Sequence, residues 1–464
     1  MNIRALSLLQ ASLILLCSCV KGRETRPTGG GGNHADFKIW YISADGSDSN
    51  SGISPSLARR TFDKVLTETS PGDIIKVMPG TYVYDGKSVL TMKNEHSGDK
   101  DRFLTIQAPD PENRPVFICG GQGVWNAVDI NASWVILDGL EFRGYNDRLD
   151  SLQAYNIAHR YFVNNSDVNW TEAAQFNTNC ISIGDKNGGI TTHVTVRNCV
   201  IRDFPGCGVG ATTCDYITFE NNVIYNNSWF CMYACSGISI IHPTDCDSET
   251  GHKLFILNNL VYNNHCKIPW VSTSDFSLSD GNGIIMDINQ YGDQRGIHKD
   301  SGPYKGRTLV ANNISVNNGG SGIHSYKADH VDIVNNTAYC NGRKYPKNNY
   351  AEIFINQAKD CKVYNNIMIA RKGAYCTLRP SDNTTVYSHN LYHGSHPVTG
   401  TGDKEGDPLV VKLSRDGATA DFHLQAASPA RGAGITESFV PDRDMDGVIR
   451  RGTVDCGALQ YISK

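Results

Sequence analysis

Two short stretches of this 464-residue sequence carry side chains able to move protons. The first is Asp280-Gly281-Asn282-Gly283-Ile284-Ile285-Met286-Asp287, the second Gly322-Ile323-His324-Ser325-Tyr326-Lys327. Carboxyl, imidazole, phenol and ammonium groups span the range of acids and bases that enzymes use to give and take protons. Asp287 ends a strongly apolar run, Ile284–Met286, an unusual place for an incidental surface charge. Downstream lie Asp293, Arg295, His298, Lys299 and Asp300, and upstream Asp245, Asp247, Glu249 and His252. No other part of the sequence gathers carboxylates, histidines and basic residues so densely.

Residues some forty positions apart meet only if the chain repeats, and it does. Two or three β-formers, two amides and more β-formers recur in Phe219-Glu220-Asn221-Asn222-Val223-Ile224, Ile256-Leu257-Asn258-Asn259-Leu260-Val261 and Val310-Ala311-Asn312-Asn313-Ile314. Ile333-Val334-Asn335-Asn336-Thr337 and Val363-Tyr364-Asn365-Asn366-Ile367 continue the series, with weaker copies at Asn198 and His389. Successive copies are 23, 37, 54, 23, 30 and 24 residues apart, a unit of about 23 residues with insertions. Short strands with Asn at a fixed phase predict a parallel β-solenoid, its amides stacked at the strand spacing of about 4.8 Å. A propeller would need longer repeats.

A second column supports the phase. Gly208-Val209, Gly322-Ile323 and Glu352-Ile353 precede their amides by about 13 residues, but Gly237-Ile238 and Gly283-Ile284 by 21 and 29. The excess lies in His242–Lys253, Asp287–Tyr304 and His265–Ser279, and insertions on neighbouring coils land beside one another. With Ile284 and Ile323 inward, strand alternation turns Ile285, Asp287, His324 and Tyr326 outward, with Asp280 and Asn282 on the approach.

The formal charge of −4, from 43 Lys+Arg against 47 Asp+Glu, argues against a nucleic-acid partner. Met1–Arg4 and the apolar Ala5–Leu16 read as an export signal, too short to span a bilayer permanently. Leu16-Cys17-Ser18-Cys19 resembles a bacterial lipoprotein box with Cys19 lipidated; an ordinary secretory signal is the alternative. Residues 1–18 are then the signal, 19–36 a flexible tether containing the Gly29–Gly32 run, and 37–464 the β-helix, outside the cytoplasm. Thirteen cysteines remain after Cys17 and Cys19 and are expected mostly as core thiols, with Cys231–Cys235 or Cys246–Cys266 as candidate bridges.

The opening Trp40-Tyr41-Ile42-Ser43-Ala44-Asp45-Gly46-Ser47-Asp48-Ser49-Asn50-Ser51-Gly52, the Asn-rich coils and the closing Ser428-Pro429-Ala430-Arg431-Gly432-Ala433-Gly434 are similar to right-handed parallel β-helix proteins of the pectate-lyase superfamily. Within it, the chain resembles in part the family-nine pectate and rhamnogalacturonan lyases. The resemblance implies an all-β, single-stranded right-handed parallel β-helix with an Asn ladder. Phe62, Val65 and Leu66 would form a short N-terminal capping helix. It also implies a calcium ion held by Asp residues in a run comparable to Asp280–Asp287, and a base at the position of His324. The family doubles the first Asp and uses Lys as base; here the Asp is single and the base position is His.

The reading is therefore a monomeric polysaccharide lyase that cleaves a uronic-acid-containing glycan of pectin or rhamnogalacturonan type. His324 is the leading base, with Tyr326 and Lys299 as alternatives or acid partners. Asn282, Arg295 and Lys327 would bind substrate, and Asp280, Asp287 and Asp293 would ligate calcium. A glycoside hydrolase using two of Asp280, Asp287 and Glu352 is one alternative; a noncatalytic glycan-binding surface protein is another. Asp442-Arg443-Asp444-Met445-Asp446-Gly447 starts like a calcium loop, but with Thr453 at its twelfth position it reads as a turn.

Overall fold

The computed structural model describes residues 37–184, 189–292, 298, 300–343, 350–450 and 452–463. Cys19 and the signal and tether segments lie outside them. Short strands separated by tight turns wind into a right-handed parallel β-helix with three sheets. The first has eleven strands, Ile39–Ile42 to Val386–Ser388; the second also has eleven, Thr81–Asp85 to Lys404–Glu405. The third has eight, Leu90–Met92 to Ile353–Asn356. A typical coil gives Thr191–Arg197 to the first sheet, Val200–Arg202 to the second and Val209–Thr212 to the third.

The Asn pairs make the corner between the first and second sheets. In each pair the first Asn takes the left-handed conformation, at φ 54–58° in Asn221, Asn258, Asn312, Asn335 and Asn365. Asn tolerates that region better than other non-glycine residues. The second Asn points inward and donates to its equivalent on the next coil. Asn222, Asn259, Asn313, Asn336, Asn366 and Asn390 are linked in this way at 2.9–3.0 Å. Each acceptor also takes a backbone N–H from the preceding rung, so these ladder oxygens each accept two hydrogen bonds. Asp403 ends the ladder.

A second ladder escaped the sequence reading. Asn227, Asn264, Asn318 and Asn341 follow five residues behind members of the first and donate in series, ending on Glu352 Oε2 at 2.6 Å. The Asn226-Asn227, Asn263-Asn264 and Asn317-Asn318 repeats were its signal. Glu352 is thus turned into the coil and buried, not displayed on the outer face as the hydrolase alternative requires.

Three further features depart from the sequence reading or refine it. The entry helix α1, Phe62–Leu66, buries the expected Phe62, Val65 and Leu66. An unexpected insertion in the connection 144–178 adds α2, Ser151–Val163, and α3, Trp170–Ala174. Asp150 caps α2 by accepting the Leu152 N–H, and Ala154, Ile157 and Ala158 pack with Phe230, Met232 and Ile268. Beyond Glu405 the chain leaves the solenoid. Val410, Phe422, Leu424, Ala430 and Leu459 cover Tyr262, Ile314, Val316, Ile367 and Ile369 on the outside of the second sheet.

All thirteen described cysteines are free thiols, eleven of them buried. Cys231 and Cys235 meet sulfur to sulfur at 3.0 Å, whereas Cys246 is exposed and Cys266 buried. The Asp442–Gly447 segment is a turn in which Asp444 accepts the N–H groups of Asp446, Val448 and Gln460.

Candidate functional site

The outer face of the third sheet presents two columns of side chains. Ser182, Gly210, Ser239, Ile285, His324 and Phe354 form one; Thr212, Ile241, Asp287, Tyr326 and Asn356 form the other. Long connections flank the sheet: 144–178, 226–237 and 263–283 enter it, and 242–251 leaves it. A cleft of about 510 Å³ opens there, floored by Ser182, Gly210 and Ser239. Tyr233 and Cys235 bound one side, His242 and Asp287 the other.

Asp287 is the reactive-looking group. Its Oδ1 is buried and has no hydrogen-bond partner among the described residues. Burial, then the charge of Asp280, pushes its carboxyl up to about 7, against the pull of the Lys327 ammonium. Asp280 is itself pushed up to about 6 by burial, against hydrogen bonds from Asn282 and Ser279. Beside Asp287 in register stands Tyr326, half-buried, with the Lys327 ammonium 5.2 Å from its ring centre. The hydrogen bond between the two holds the lysine pKa up.

Asp287 and His324 share one wall, as strand alternation required, but His324 is not poised as a base. It is 5% exposed, stacked on Phe354 at 5.1 Å with Tyr350 edge-on at 6.3 Å. Neither ring nitrogen has a hydrogen-bond partner among the described residues, and burial pushes its pKa down to about 3. A position facing out of the solenoid is still sealed when the next coil lays an aromatic ring over it.

Asn282 is likewise fully buried. Its amide donates to Asp280 Oδ1 at 2.8 Å and Ser236 Oγ at 3.2 Å, and its oxygen accepts the Ser321 N–H. It shapes the turn rather than meeting a ligand. Asp280, in the left-handed conformation at φ 55°, belongs to the same turn. Asp293, Arg295 and Lys299 lie outside the described residues. Of the upstream carboxylates, Asp245 and Asp247 each lie 3.0 Å from the buried Lys253 ammonium, which also sits 2.6 Å from Asp215. His252 pairs with Asp332 at 2.7 Å.

That distribution bears on calcium. Among the described residues one group of three has metal-ligating spacing, Asp215, Cys246 and Asp247, and the Lys253 ammonium already lies against both carboxylates. Calcium takes roughly six to eight oxygens. Asp280, tied to Asn282 and Ser279, and Asp287 do not by themselves fit that ion.

Sequence reasoning missed His242, whose Nδ1 lies 3.4 Å from the Tyr291 carbonyl, and Tyr233, since both sit in insertions with no repeat to fix their direction.

No protein-family model matches the chain, and no curated protein matches it. Among solved structures it is similar to pectate lyase Pel9A, at 17% identity and TM-score 0.50 over 92% of this chain and 97% of that one. It is also similar to a rhamnogalacturonan lyase, at 13% identity and TM-score 0.36 over 90% and 95%. A GH136 lacto-N-biosidase from Eubacterium ramulus follows at 13% and 0.40 over 76% and 67%. The likeness is one of fold: a right-handed parallel β-helix.

Proposed function

We propose that the chain is a polysaccharide lyase acting outside the cytoplasm, carried there by its N-terminal signal and anchored through Cys19, on a uronic-acid-containing glycan held in the cleft of the third sheet. The observation that carries this reading is the Asp287 carboxyl, half-protonated near neutrality, with a buried unpaired oxygen beside Tyr326 and Lys327. β-Elimination needs the uronate carboxylate neutralised before its C5 proton becomes removable. Protonated Asp287 supplies a hydrogen bond to that carboxylate, and Lys327 a positive charge. Tyr326 takes the C5 proton as the electron pair forms the C4–C5 double bond and the C4–O bond breaks. It then returns a proton to the departing glycosidic oxygen. The neighbouring Lys327 ammonium stabilises the phenolate form of Tyr326, which takes the first proton and is regenerated when the second is given up. Proton transfer thus passes from His324 to Tyr326, which lies on the same face and is accessible.

The test is incubation with polygalacturonate, rhamnogalacturonan, alginate and glycosaminoglycans, following ultraviolet absorbance and reducing ends together. A lyase raises both, and Tyr326→Phe should lower kcat by about 100-fold or more. Because neutralisation here uses Asp287 and Lys327, turnover should survive a chelator. Reducing ends without absorbance would instead identify a hydrolase, with Asp280 and Asp287 as its carboxyl pair; neither signal would identify a binder.

A further inference from the structure

The cleft does not end at its own walls. Tyr233, which lines it, is also one corner of an aromatic surface built from three separate segments. Trp125 immediately precedes the strand Asn126–Ile130, Trp170 opens α3, and Tyr233 lies in the connection 226–237. The Trp125 ring is 6.3 Å from that of Trp170 and 6.5 Å from that of Tyr233, centre to centre. Tyr161 of α2 wedges edge-on between Trp170 and Tyr233, at 5.6 and 6.3 Å, and fixes their spacing. The three outer rings remain 36%, 44% and 37% exposed. Single exposed aromatics are unremarkable, but a contiguous set on a rigid frame marks a binding surface.

We infer that Trp125, Trp170 and Tyr233 form a stacking platform for pyranose rings of the glycan chain, a remote subsite of the same cleft. This deepens the lyase reading and rests on its assignment of the cleft to a glycan. Three observations select that occupant. The platform is continuous with the cleft through Tyr233. Flat aromatic faces match the C–H face of a sugar ring, while the cleft floor offers the hydroxyls of Ser182 and Ser239 to its polar edge. The geometry is also linear: Trp125 adjoins a strand four rungs from the one that ends in Asp287, about 19 Å along the axis at the usual strand spacing. A chain several sugars long is needed to touch both, so the platform selects polymer over short oligosaccharide.

Affinity electrophoresis through gels containing polygalacturonate, rhamnogalacturonan, alginate or a glycosaminoglycan tests this directly. The wild-type chain should be retarded by at least one of them. The double variant Trp125→Ala/Trp170→Ala should bind that polysaccharide about tenfold or more weakly while still folded, with a lower melting temperature because each ring is more than half buried against its neighbours. Trp125→Phe/Trp170→Phe should keep most of the binding, since it keeps the faces, and so controls for damage to the fold. Equal retardation of the alanine and wild-type chains, or retardation of the wild type by none of the four, overturns the inference. Trp-dependent retardation without unsaturated products would overturn the lyase reading alone and leave the platform standing.

Discussion

At the scale of single residues, the reading turns on Asp287 and on the sign of its titration. Its carboxyl is pushed up to about 7 chiefly by burial, so it is protonated below that pH and anionic above it. Neutralising a uronate requires the protonated form. The rate should therefore fall as pH rises through about 7, read as kcat/KM against pH on the responsive polysaccharide. Asp287→Asn keeps a donor but cannot ionise, so activity should persist at a reduced level without that alkaline fall; Asp287→Ala should lose it. The sequence made Asp287 legible because an acid ending an Ile-Ile-Met strand is harder to dismiss as an incidental surface charge. His324 misled for a physical reason. Alternation gives the side of the sheet a residue faces, and His324 does face the side of Asp287. Its exposure depends on Phe354 one coil later and on Tyr350 in a connection, neither of which its local sequence announces.

At the scale of elements, the ladders show what a repeat fixes and what it leaves open. Asn recurrence revealed the strand phase and the stacking of the coils, because buried amides must pair and equivalent amides on adjacent coils are within reach. It could not show where a ladder ends. The second ladder ends on Glu352, whose carboxyl is pushed up to about 8 by burial, against the donors of Asn341. The folded chain therefore holds a proton that the unfolded chain releases above about pH 4. The stabilisation is full below that pH and lost as pH rises through about 8, at a limiting slope of roughly 1.4 kcal/mol per pH unit. Glu352→Gln, which retains an acceptor for Asn341, should be more stable relative to wild type at pH 8 than at pH 5, measured by urea unfolding at each pH. The insertion bearing α2 was readable too. Ala154, Ile157, Ala158 and Tyr161 repeat at helical spacing behind the Asp150 cap, a short period masked by the longer one around it.

At the scale of the whole molecule, the C-terminal stretch after Glu405 works as a brace. It bonds to the corner Asn residues of three coils: Asn312 donates to the Arg443 carbonyl, Asn335 to that of Asp455, and Asn365 to that of Ile435, all within 2.8–2.9 Å. Phe422 meets Tyr339 edge-on at 6.0 Å among the residues that cover the second sheet. Phe422→Ala should cost about 3–5 kcal/mol, read as a lower urea midpoint with a rise in binding of an apolar dye. The sequence marked this stretch as a close but gave no sign that it doubles back. Its apolar residues follow no coil period, and their partners lie about a hundred positions upstream.

That brace also has a consequence for biosynthesis. Ile314, Val316, Ile367 and Ile369 leave the ribosome before the segment that shields them, so every nascent chain passes through a stage with a bare greasy flank. A clipped or stalled product would carry that flank permanently and should stick side by side with its own kind, whereas in the finished rod the C-terminal stretch covers it.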